Sequence, residues 1–225
     1  MKDLTIIFLT VNKVPAEWAG YHRKVLEEAI GDFPIITISK EPLDLGTNLI
    51  QDGPINTSNI YYQMLRGAKL ASTPYIAVAE DDVLYSKDHF NCFRPRLDEF
   101  AYNMTRWGIF TWGEPTYSWK DRITNSAFIG PRDLTVKALE ERFAKYPDGT
   151  PEGRTGELGR GMIEDRLGLS HYKCVKFNST VPIVDFNHCY SLDPLERNQR
   201  KKMGPLKAFD IPYWGRADEL VQKFL

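Results

Sequence analysis

The first eighty residues alternate between short apolar runs and amphipathic stretches. Apolar runs of four to eight residues bounded by Gly, Pro or Ser are typical of buried strands, whereas apolar positions three or four apart are typical of helices. Pro15 and Gly31 mark the start and end of the first helix, and Ser58 is a plausible N-cap of the second. The predicted order is a strand at 4–11, a helix, a strand at 34–39, a helix and a strand at 75–79.

The pattern changes after residue 85. Residues 87–102 are amphipathic but contain Pro95, which predicts a broken or kinked helix. Residues 147–160 hold four glycines and two prolines, so we expect a mobile loop. Beyond residue 190 the chain reads as irregular and partly basic. The remaining predicted elements are strands at 107–112, 125–130, 173–177 and 181–186 and helices after Pro131 and at 162–170.

The composition excludes few classes of protein. The chain has 225 residues, 42% hydrophobic and 26% charged, with a formal net charge of -1, which gives no overall argument for nucleic acid as a partner. Its three cysteines lack the CxxC spacing of a zinc site, which favours a reducing compartment. The apolar run at the N-terminus is too short for a membrane span. We therefore expect a cytoplasmic protein without a transmembrane segment.

Three consecutive carboxylates, Glu80, Asp81 and Asp82, follow the strand at 75–79. The carboxyl ends of strands in open α/β sheets are where ligands bind. Adjacent acids repel one another unless a cation lies between them, and a divalent metal carrying a phosphate meets that need. The alternative is a solvated turn after a core strand.

Two further motifs carry candidate chemistry. Glu164 and Asp165 lie near the start of the predicted helix at 162–170, and His188 follows the strand at 181–186. A carboxylate near an acceptor hydroxyl can take its proton as a bond forms. Acids at a helix start are also common for purely electrostatic reasons, and a lone His is commonly a satisfied polar residue.

Taken in order, the alternating start, the acidic strand end, the glycine-rich loop, the Glu164–Asp165 pair and His188 resemble a glycosyltransferase of the GT-A fold, in its large family-2-like group. The resemblance covers roughly residues 4–190, and Glu80-Asp81-Asp82 stands in the place of that fold's DxD element, departing from it by starting with Glu. It implies a single α/β, GT-A-like (Rossmann-like) domain in which helices flank a central mixed sheet. Residues 1–85 would form the nucleotide-binding half, 86–190 the acceptor half, and 191–225 a C-terminal segment packing on or closing over the site.

The resemblance also implies roles for single residues. Asp82 and His188 would bind Mn²⁺ or Mg²⁺, Glu80 or Asp81 would face the ribose, and Asp165, with Glu164 as second candidate, would be the catalytic base. The other expected donor-binding residues are Thr10, Val11, Asn12, Glu41, Asn59, Arg66, Asn125, Arg200 and Lys202. The expected acceptor-binding residues, which could equally be ordinary core or surface aromatics, are Trp112, Tyr117 and Trp119.

The activity that follows is metal-dependent transfer of a sugar from a nucleoside-diphosphate sugar to an acceptor hydroxyl, with inversion. The acceptor would be a glycan or polysaccharide precursor or, because of the basic run near Arg200, a hydroxymethylated pyrimidine in DNA. One alternative is a nucleotidyltransferase, although residues 10–15 lack the glycines of a phosphate-binding loop. The other is a binding module without catalytic activity.

Overall fold

The computed structural model describes residues 2–119, 121–151, 153–191 and 203–225. Its helices are α1 Ala16–Ile30, α2 Thr57–Leu70, α3 Lys87–Asn91, α4 Arg132–Lys145, α5 Gly161–Leu167 and α6 Ala217–Phe224. Its strands are β1 Leu4–Thr10, β2 Ile35–Ser39, β3 Thr47–Ile50, β4 Tyr75–Glu80, β5 Val83–Leu84, β6 Glu99–Asn103, β7 Arg106–Phe110, β8 Tyr117–Trp119, β9 Phe128–Pro131, β10 Lys173–Phe177, β11 Ile183–Asn187, β12 Leu206–Ala208, β13 Asp210–Ile211 and β14 Gly215–Arg216.

A seven-stranded sheet in the order β10-β6-β9-β4-β1-β2-β3 forms the centre of the protein. Strands β1, β2, β3 and β4 are parallel to one another, whereas β9 runs antiparallel to both β4 and β6. All seven residues of β1 are buried, as expected of a parallel strand covered on both faces. The α/β architecture with a central mixed sheet is therefore confirmed.

Helices cover both faces of this sheet because the apolar side chains of each strand alternate in direction. On one face, Met64 and Ala68 of α2 and Leu139 of α4 pack with Ile7 and Val78 of the sheet. On the other face, α1 and α3 pack against the opposite side chains of β1 and β4. The helical spacing of the buried residues explains why these segments form helices here.

A second sheet, ordered β12-β8-β7-β11-β5, packs beside the first. Its apolar face is closed by an aromatic cluster in which Trp18 of α1 lies 4.4 Å from Phe186 of β11 and 4.8 Å from Phe224 of α6, measured between ring centroids. Strand β5 belongs to this sheet, while β4 immediately before it belongs to the first. The turn between them, residues 81–82, therefore lies where the two sheets meet.

Two sequence expectations are corrected by the structure. Residues 87–102 do not form one kinked helix: α3 ends at Asn91, and residues 99–103 form β6, which pairs with β9 and β10. Phe100 and Tyr102 then contact Phe128 across the strands, a packing that depends on distant residues. The segment between β2 and α2, where the sequence analysis placed no strand, contains β3.

The end of the chain is also more regular than expected. Residues 206–216 form three short strands, and α6 buries Ala217, Leu220, Val221 and Phe224 on one face. Their spacing is the i, i+3, i+4, i+7 pattern of an amphipathic helix. No helix in the described parts of the chain has the length and apolar character needed to cross a membrane.

Candidate functional site

A cavity of about 800 Å³ opens at the carboxyl ends of β1 and β4, between the two sheets. Glu80 ends β4, and Asp81 and Asp82 form the turn into β5, so all three carboxylates reach this cavity. The backbone N–H of Phe186 donates to the Asp82 carbonyl at 2.9 Å, which ties the turn to β11 of the second sheet. The acidic strand end thus forms one wall of this cavity.

Asp81 is fixed by residues from β1 and α1. The Thr10 hydroxyl donates a short hydrogen bond to its carboxylate, and the Trp18 indole donates to its backbone carbonyl at 2.8 Å. The Asn12 amide in turn donates to the Thr10 hydroxyl oxygen at 2.9 Å. The start of the cavity wall is therefore a hydrogen-bonded unit built from three separate elements.

Asp82 meets His188, which is only 2% exposed at the end of β11. Their Oδ2 and Nε2 atoms lie 3.2 Å apart. The Tyr190 amide donates to His188 Nδ1 at 3.1 Å, so in the neutral ring the proton sits on Nε2 and points at Asp82. For His188 to ligate a metal through Nε2, the hydrogen bond from Tyr190 has to be given up.

The clustering of these acids is electrostatically unfavourable. Burial, reinforced by repulsion from Asp82, raises the pKa of Glu80 to about 8 and that of Asp81 to about 7. Hydrogen bonds from Asn125 to Glu80, at 3.2 Å, and from Thr10 to Asp81 offset only part of this. Among the described residues, no three His, Cys, Asp or Glu side chains converge closely enough to hold a metal by themselves.

The loop before α5 contributes a further carboxylate, Glu157, to the cavity. Glu157 lines the cavity, is 7% exposed, and accepts a hydrogen bond from Arg160 at 3.0 Å. The buried Arg142 of α4 donates to the adjacent Gly156 carbonyl at 3.1 Å and lies over the Tyr61 ring, 4.7 Å from its centroid. These contacts hold a carboxylate of the 147–160 loop against the cavity.

Several cavity residues were missed by the sequence analysis, namely Tyr61, Arg106, Arg122, Glu157 and Asp185. For two of them a signal existed. Arg106 and Asp185 are charged residues of otherwise apolar strands. Arg106 begins β7, next to the half-buried Trp107, and Asp185 lies between the buried Val184 and Phe186 in β11. A charge in the middle of a strand indicates a polar face, although it does not indicate which partner meets it.

Seven of the predicted site residues line the cavity: Thr10, Val11, Glu80, Asp81, Asp82, Asn125 and His188. Asn12 and Glu41 instead line a smaller cavity of about 260 Å³ beside α1. The Asn12 side-chain oxygen accepts from the amides of Lys40 and Glu41 at 2.9 and 3.0 Å, so it joins the ends of β1 and β2.

Asn59 and Arg66 of α2 do not line the cavity. Asn59 donates to the backbone carbonyls of Asp52 and Pro54, and Arg66 forms an ion pair with Asp52 at 2.9 Å. Both side chains therefore hold the loop before α2. Arg200 and Lys202, predicted to contact the donor, lie outside the described residues.

The three predicted acceptor-binding aromatics are likewise not brought to the cavity. Tyr117 is buried with its hydroxyl donating to the Gly215 carbonyl at 2.8 Å, and the Trp119 indole donates to the Met104 carbonyl at 3.3 Å. Trp112 packs edge-on against Phe110, with 5.3 Å between ring centroids. Phe110, the last residue of β7, lines the cavity instead.

Glu164 and Asp165 of α5, the two candidates for the catalytic base, point away from the cavity. Glu164 is 2% exposed, and its carboxylate accepts from the amides of Gly159 at 2.8 Å and Tyr172 at 3.3 Å. Asp165 is exposed and pairs with His171 at 2.7 Å. Neither side chain lines the cavity, so the structure does not bring this motif to the acidic strand end.

Comparisons with known proteins describe only a similarity in fold. No family model matches the chain, and no curated protein matches it. Among solved structures, S. aureus TarS 1-349 in complex with UDP-GlcNAc matches with a TM-score of 0.49 and 12% identity, over 84% of this chain and 59% of that one. A nucleotidyl transferase from Methanothermobacter thermautotroptrophicus matches with a TM-score of 0.47 and 12% identity, over 80% and 89%.

The mannosyltransferase PcManGT from Pyrobaculum calidifontis, in complex with GDP-Man and Mn²⁺, matches with a TM-score of 0.44 and 12% identity, over 81% of this chain and 56% of that one. This chain therefore spans less than two thirds of the length of TarS 1-349 and of PcManGT. With TM-scores below 0.5, none of these similarities decides which reaction this chain performs.

Proposed function

We propose that the protein transfers a sugar from a nucleoside-diphosphate sugar to an acceptor hydroxyl. The observation that carries this proposal is the position of Glu80, Asp81 and Asp82 at one wall of a cavity of about 800 Å³, with His188, the residue after β11, 3.2 Å from Asp82. A buried group of acids beside a cavity of ligand size indicates a cationic or metal-bound substrate.

The donor set fits a divalent cation held jointly by protein and substrate. Mg²⁺ is commonly bound by one or two carboxylates, with waters and substrate phosphates supplying the other ligands. Asp82 would hold Mg²⁺ or Mn²⁺, and His188 would join it only by giving up the hydrogen bond from Tyr190. When bound, the ion offsets the negative charge of the diphosphate leaving group.

The remaining wall residues have roles that follow from their contacts. Thr10 and Trp18 fix Asp81, and Asn125 fixes Glu80, so these two carboxylates keep their positions when a donor enters. A rigid polar wall of this kind favours hydrogen bonding to the ribose or sugar hydroxyls of the donor.

Proton removal from the acceptor is assigned to Glu157. It is the cavity carboxylate that lies outside both the acidic strand end and the Arg106–Asp185 ion pair. Arg160 and the Arg142-supported loop hold it in place, as a positioned base requires. A direct attack assisted by one such base leads to inversion at the anomeric carbon. Asp165, the base expected from the sequence, remains the competing assignment.

Two acceptor classes stay within the proposal, a glycan precursor and a hydroxymethylated pyrimidine in DNA. The first requires only a hydroxyl near Glu157. The second requires a flipped base to enter the cavity and a basic surface for the phosphate backbone. Salt-sensitive binding of DNA that contains the modified base would distinguish the second class from the first.

The test is calorimetry with a panel of nucleoside diphosphates and their sugars, with and without Mn²⁺. Metal-dependent binding of one nucleotide by the wild type, lost in Asp82→Ala, supports the proposal. Absence of binding in a folded sample contradicts it. Product analysis then separates sugar transfer, which releases a nucleoside diphosphate, from nucleotidyl transfer, which releases pyrophosphate.

A further inference from the structure

Four tyrosines in the described part of the chain are buried, and one of them differs from the other three. Tyr85, Tyr102 and Tyr117 each donate from the hydroxyl to a backbone carbonyl, at 3.0, 2.8 and 2.8 Å. Tyr61 of α2 is 3% exposed, and its hydroxyl makes no hydrogen bond with another described residue. Because buried polar groups are nearly always hydrogen-bonded, the unpaired hydroxyl of Tyr61 indicates a group that serves a ligand.

The Tyr61 hydroxyl is open to the cavity. Within the described residues, the polar side-chain atoms that have no partner and are closed to solvent belong to His89, Arg106 and Arg142. The hydroxyl of Tyr61 is not among them, and Tyr61 lines the cavity. Its ring is held by the Arg142 guanidinium, 4.7 Å from the ring centroid, and by the apolar cluster between α2 and the sheet. The cavity wall thus presents a fixed hydroxyl that a ligand can reach.

Two carboxylates of the cavity act on this hydroxyl. Burial, Glu157 and Glu80 raise the pKa of Tyr61 above its usual range, although the charges of Arg142 and Arg122 act in the opposite direction. Among these charges, that of Glu157 has the largest effect. The hydroxyl therefore stays protonated at physiological pH and has a hydrogen to donate.

The charge of the cavity indicates which kind of group would accept that hydrogen bond. Among the described side chains that line it, five are carboxylates and three are Lys or Arg, so an anion without an accompanying metal ion is disfavoured. A protonated amine has no lone pair with which to accept. An alcohol can accept from Tyr61 and donate to a carboxylate at the same time. A sugar hydroxyl therefore fits this part of the cavity.

We propose that Tyr61 is a substrate-binding residue whose hydroxyl donates a hydrogen bond to a sugar hydroxyl, which in turn donates to Glu157 or Glu80. With Glu157 as the second partner, the hydroxyl belongs to a sugar acceptor. With Glu80 it belongs to the transferred sugar of the donor. This inference rests on the proposed function, since it specifies how the same cavity selects its sugar.

The experiment removes the hydroxyl and keeps the ring. Tyr61→Phe is compared with wild type and with Tyr62→Phe, the matched control, because Tyr62 is the next residue of α2, is exposed and does not line the cavity. The donor probes are nucleoside diphosphates and their sugars with Mn²⁺, measured by calorimetry. The acceptor probes are methyl glucoside, methyl galactoside and methyl mannoside without nucleotide, measured by saturation-transfer NMR.

We expect one class of sugar probe to bind roughly three- to tenfold more weakly to Tyr61→Phe than to wild type, as the loss of one neutral hydrogen bond predicts. Binding of the sugar-free nucleoside diphosphate should not change, and Tyr62→Phe should bind every probe as wild type does. Weaker binding of the nucleoside-diphosphate sugar places the hydroxyl on the donor. Weaker binding of a methyl glycoside places it on the acceptor.

Monodeoxy analogues of the sugar that binds separate a direct contact from a structural effect. On wild type, the analogue without the contacted hydroxyl should bind more weakly than its parent by a similar factor. On Tyr61→Phe, the same analogue and its parent should bind almost equally, because the hydrogen bond is already absent. A disturbed cavity would not single out one hydroxyl.

Thermal unfolding checks that the hydroxyl has no partner within the protein. The Tm of Tyr61→Phe should equal that of wild type. Tyr102→Phe, which removes the donor to the Leu158 carbonyl, should lower the Tm by roughly 2–4 °C.

Three results would overturn the role of Tyr61. They are equal binding of all sugar probes by wild type and Tyr61→Phe, an equal loss for sugar-free nucleoside diphosphate and nucleoside-diphosphate sugar, and a Tm lowered as far as that of Tyr102→Phe. Failure of the nucleotide panel on wild type contradicts the proposed function alone, since the methyl glycosides still test Tyr61. If wild type binds no probe of either kind, both are wrong.

Discussion

The acids at the end of β4 and the acids of α5 differ in what surrounds them, although both are short acidic motifs beside an apolar element. Asp81 and Asp82 are held between two sheets and face a cavity of about 800 Å³. Glu164 points into the protein to accept two backbone N–H groups, and Asp165 points outward to His171. Only the first motif combines burial with space for a ligand.

The difference shows that an acidic motif acquires chemistry from its position in the fold. Glu164 has its charge satisfied by the amides of Gly159 and Tyr172, so it is already occupied in stabilising the loop before α5. The pKa values of Glu80 and Asp81 are raised because both carboxylates are buried and are repelled by Asp82, and the hydrogen bonds from Asn125 and Thr10 offset only part of this. A cationic ligand would therefore stabilise the acids at the end of β4, whereas Glu164 already has its hydrogen-bond donors within the protein.

Removing the carboxylate of Asp82 should have the largest effect. We expect Asp82→Ala to lose metal-dependent nucleotide binding and to reduce transfer by roughly a thousandfold or more, because the ion that offsets the leaving-group charge is no longer held. Calorimetry with and without Mn²⁺ and initial-rate measurements test this. Asp165→Ala is the matched control, and comparable losses in the two variants would remove the distinction between the two motifs.

Glu157→Gln and Asp165→Asn form the next comparison. If Glu157 takes the acceptor proton, Glu157→Gln should lower turnover by roughly a hundredfold or more while nucleotide binding persists. Asp165→Asn should then remain active, since its side chain lies outside the cavity. Full activity of Glu157→Gln together with an inactive Asp165→Asn would restore the assignment made from the sequence.

The sequence indicates more of the first half of the fold than of the second. Long periodic patterns suffice for β1, α1, β2, α2 and β4, and the acids at residues 80–82 follow directly from the end of β4. Arg106 and Asp185 meet only because β7 pairs in parallel with β11, across 79 residues of chain. Such pairing depends on tertiary packing, which local patterns do not specify.

The orientation of α5 is beyond the sequence for a similar reason. A seven-residue helix with an acidic pair can turn either acid toward a cavity, and its rotation is set by Ile163 and Leu167, which are buried. The sequence shows that two acids are adjacent, but the direction in which each side chain points depends on the burial of Ile163 and Leu167.

The buried His89 makes the stability of the fold depend on pH. Burial lowers the pKa of His89 to about 3, so the unfolded state binds a proton that the folded state does not as the pH falls from about 6.5 toward 3. The contribution of His89 to stability is thus full above pH 6.5 and decreases below it, by on the order of 1 kcal/mol per pH unit.

Urea unfolding between pH 7 and pH 4.5, without metal, tests this prediction. The raised pKa values of Glu80 and Asp81 contribute slopes of opposite sign, so the difference between wild type and a variant is the informative quantity. The stability advantage of wild type over His89→Gln should shrink as the pH falls. A constant difference would show that His89 does not titrate in this range on unfolding.

The smallest effect is expected from comparing Glu164→Ala with Asp165→Ala, and it concerns only the free energy of unfolding. Truncating Glu164 leaves the partly buried amides of Gly159 and Tyr172 without their acceptor, at a cost of about 1–3 kcal/mol in the free energy of unfolding. Asp165→Ala, on the exposed face of the same helix, should change it by less than about 0.5 kcal/mol. Urea unfolding at pH 7 measures both values. Because Glu164 supports the loop without reaching the cavity, folded Glu164→Ala should still bind nucleotide and transfer the sugar. A folded variant that binds nucleotide but has lost transfer would instead show that the α5 motif takes part in the reaction.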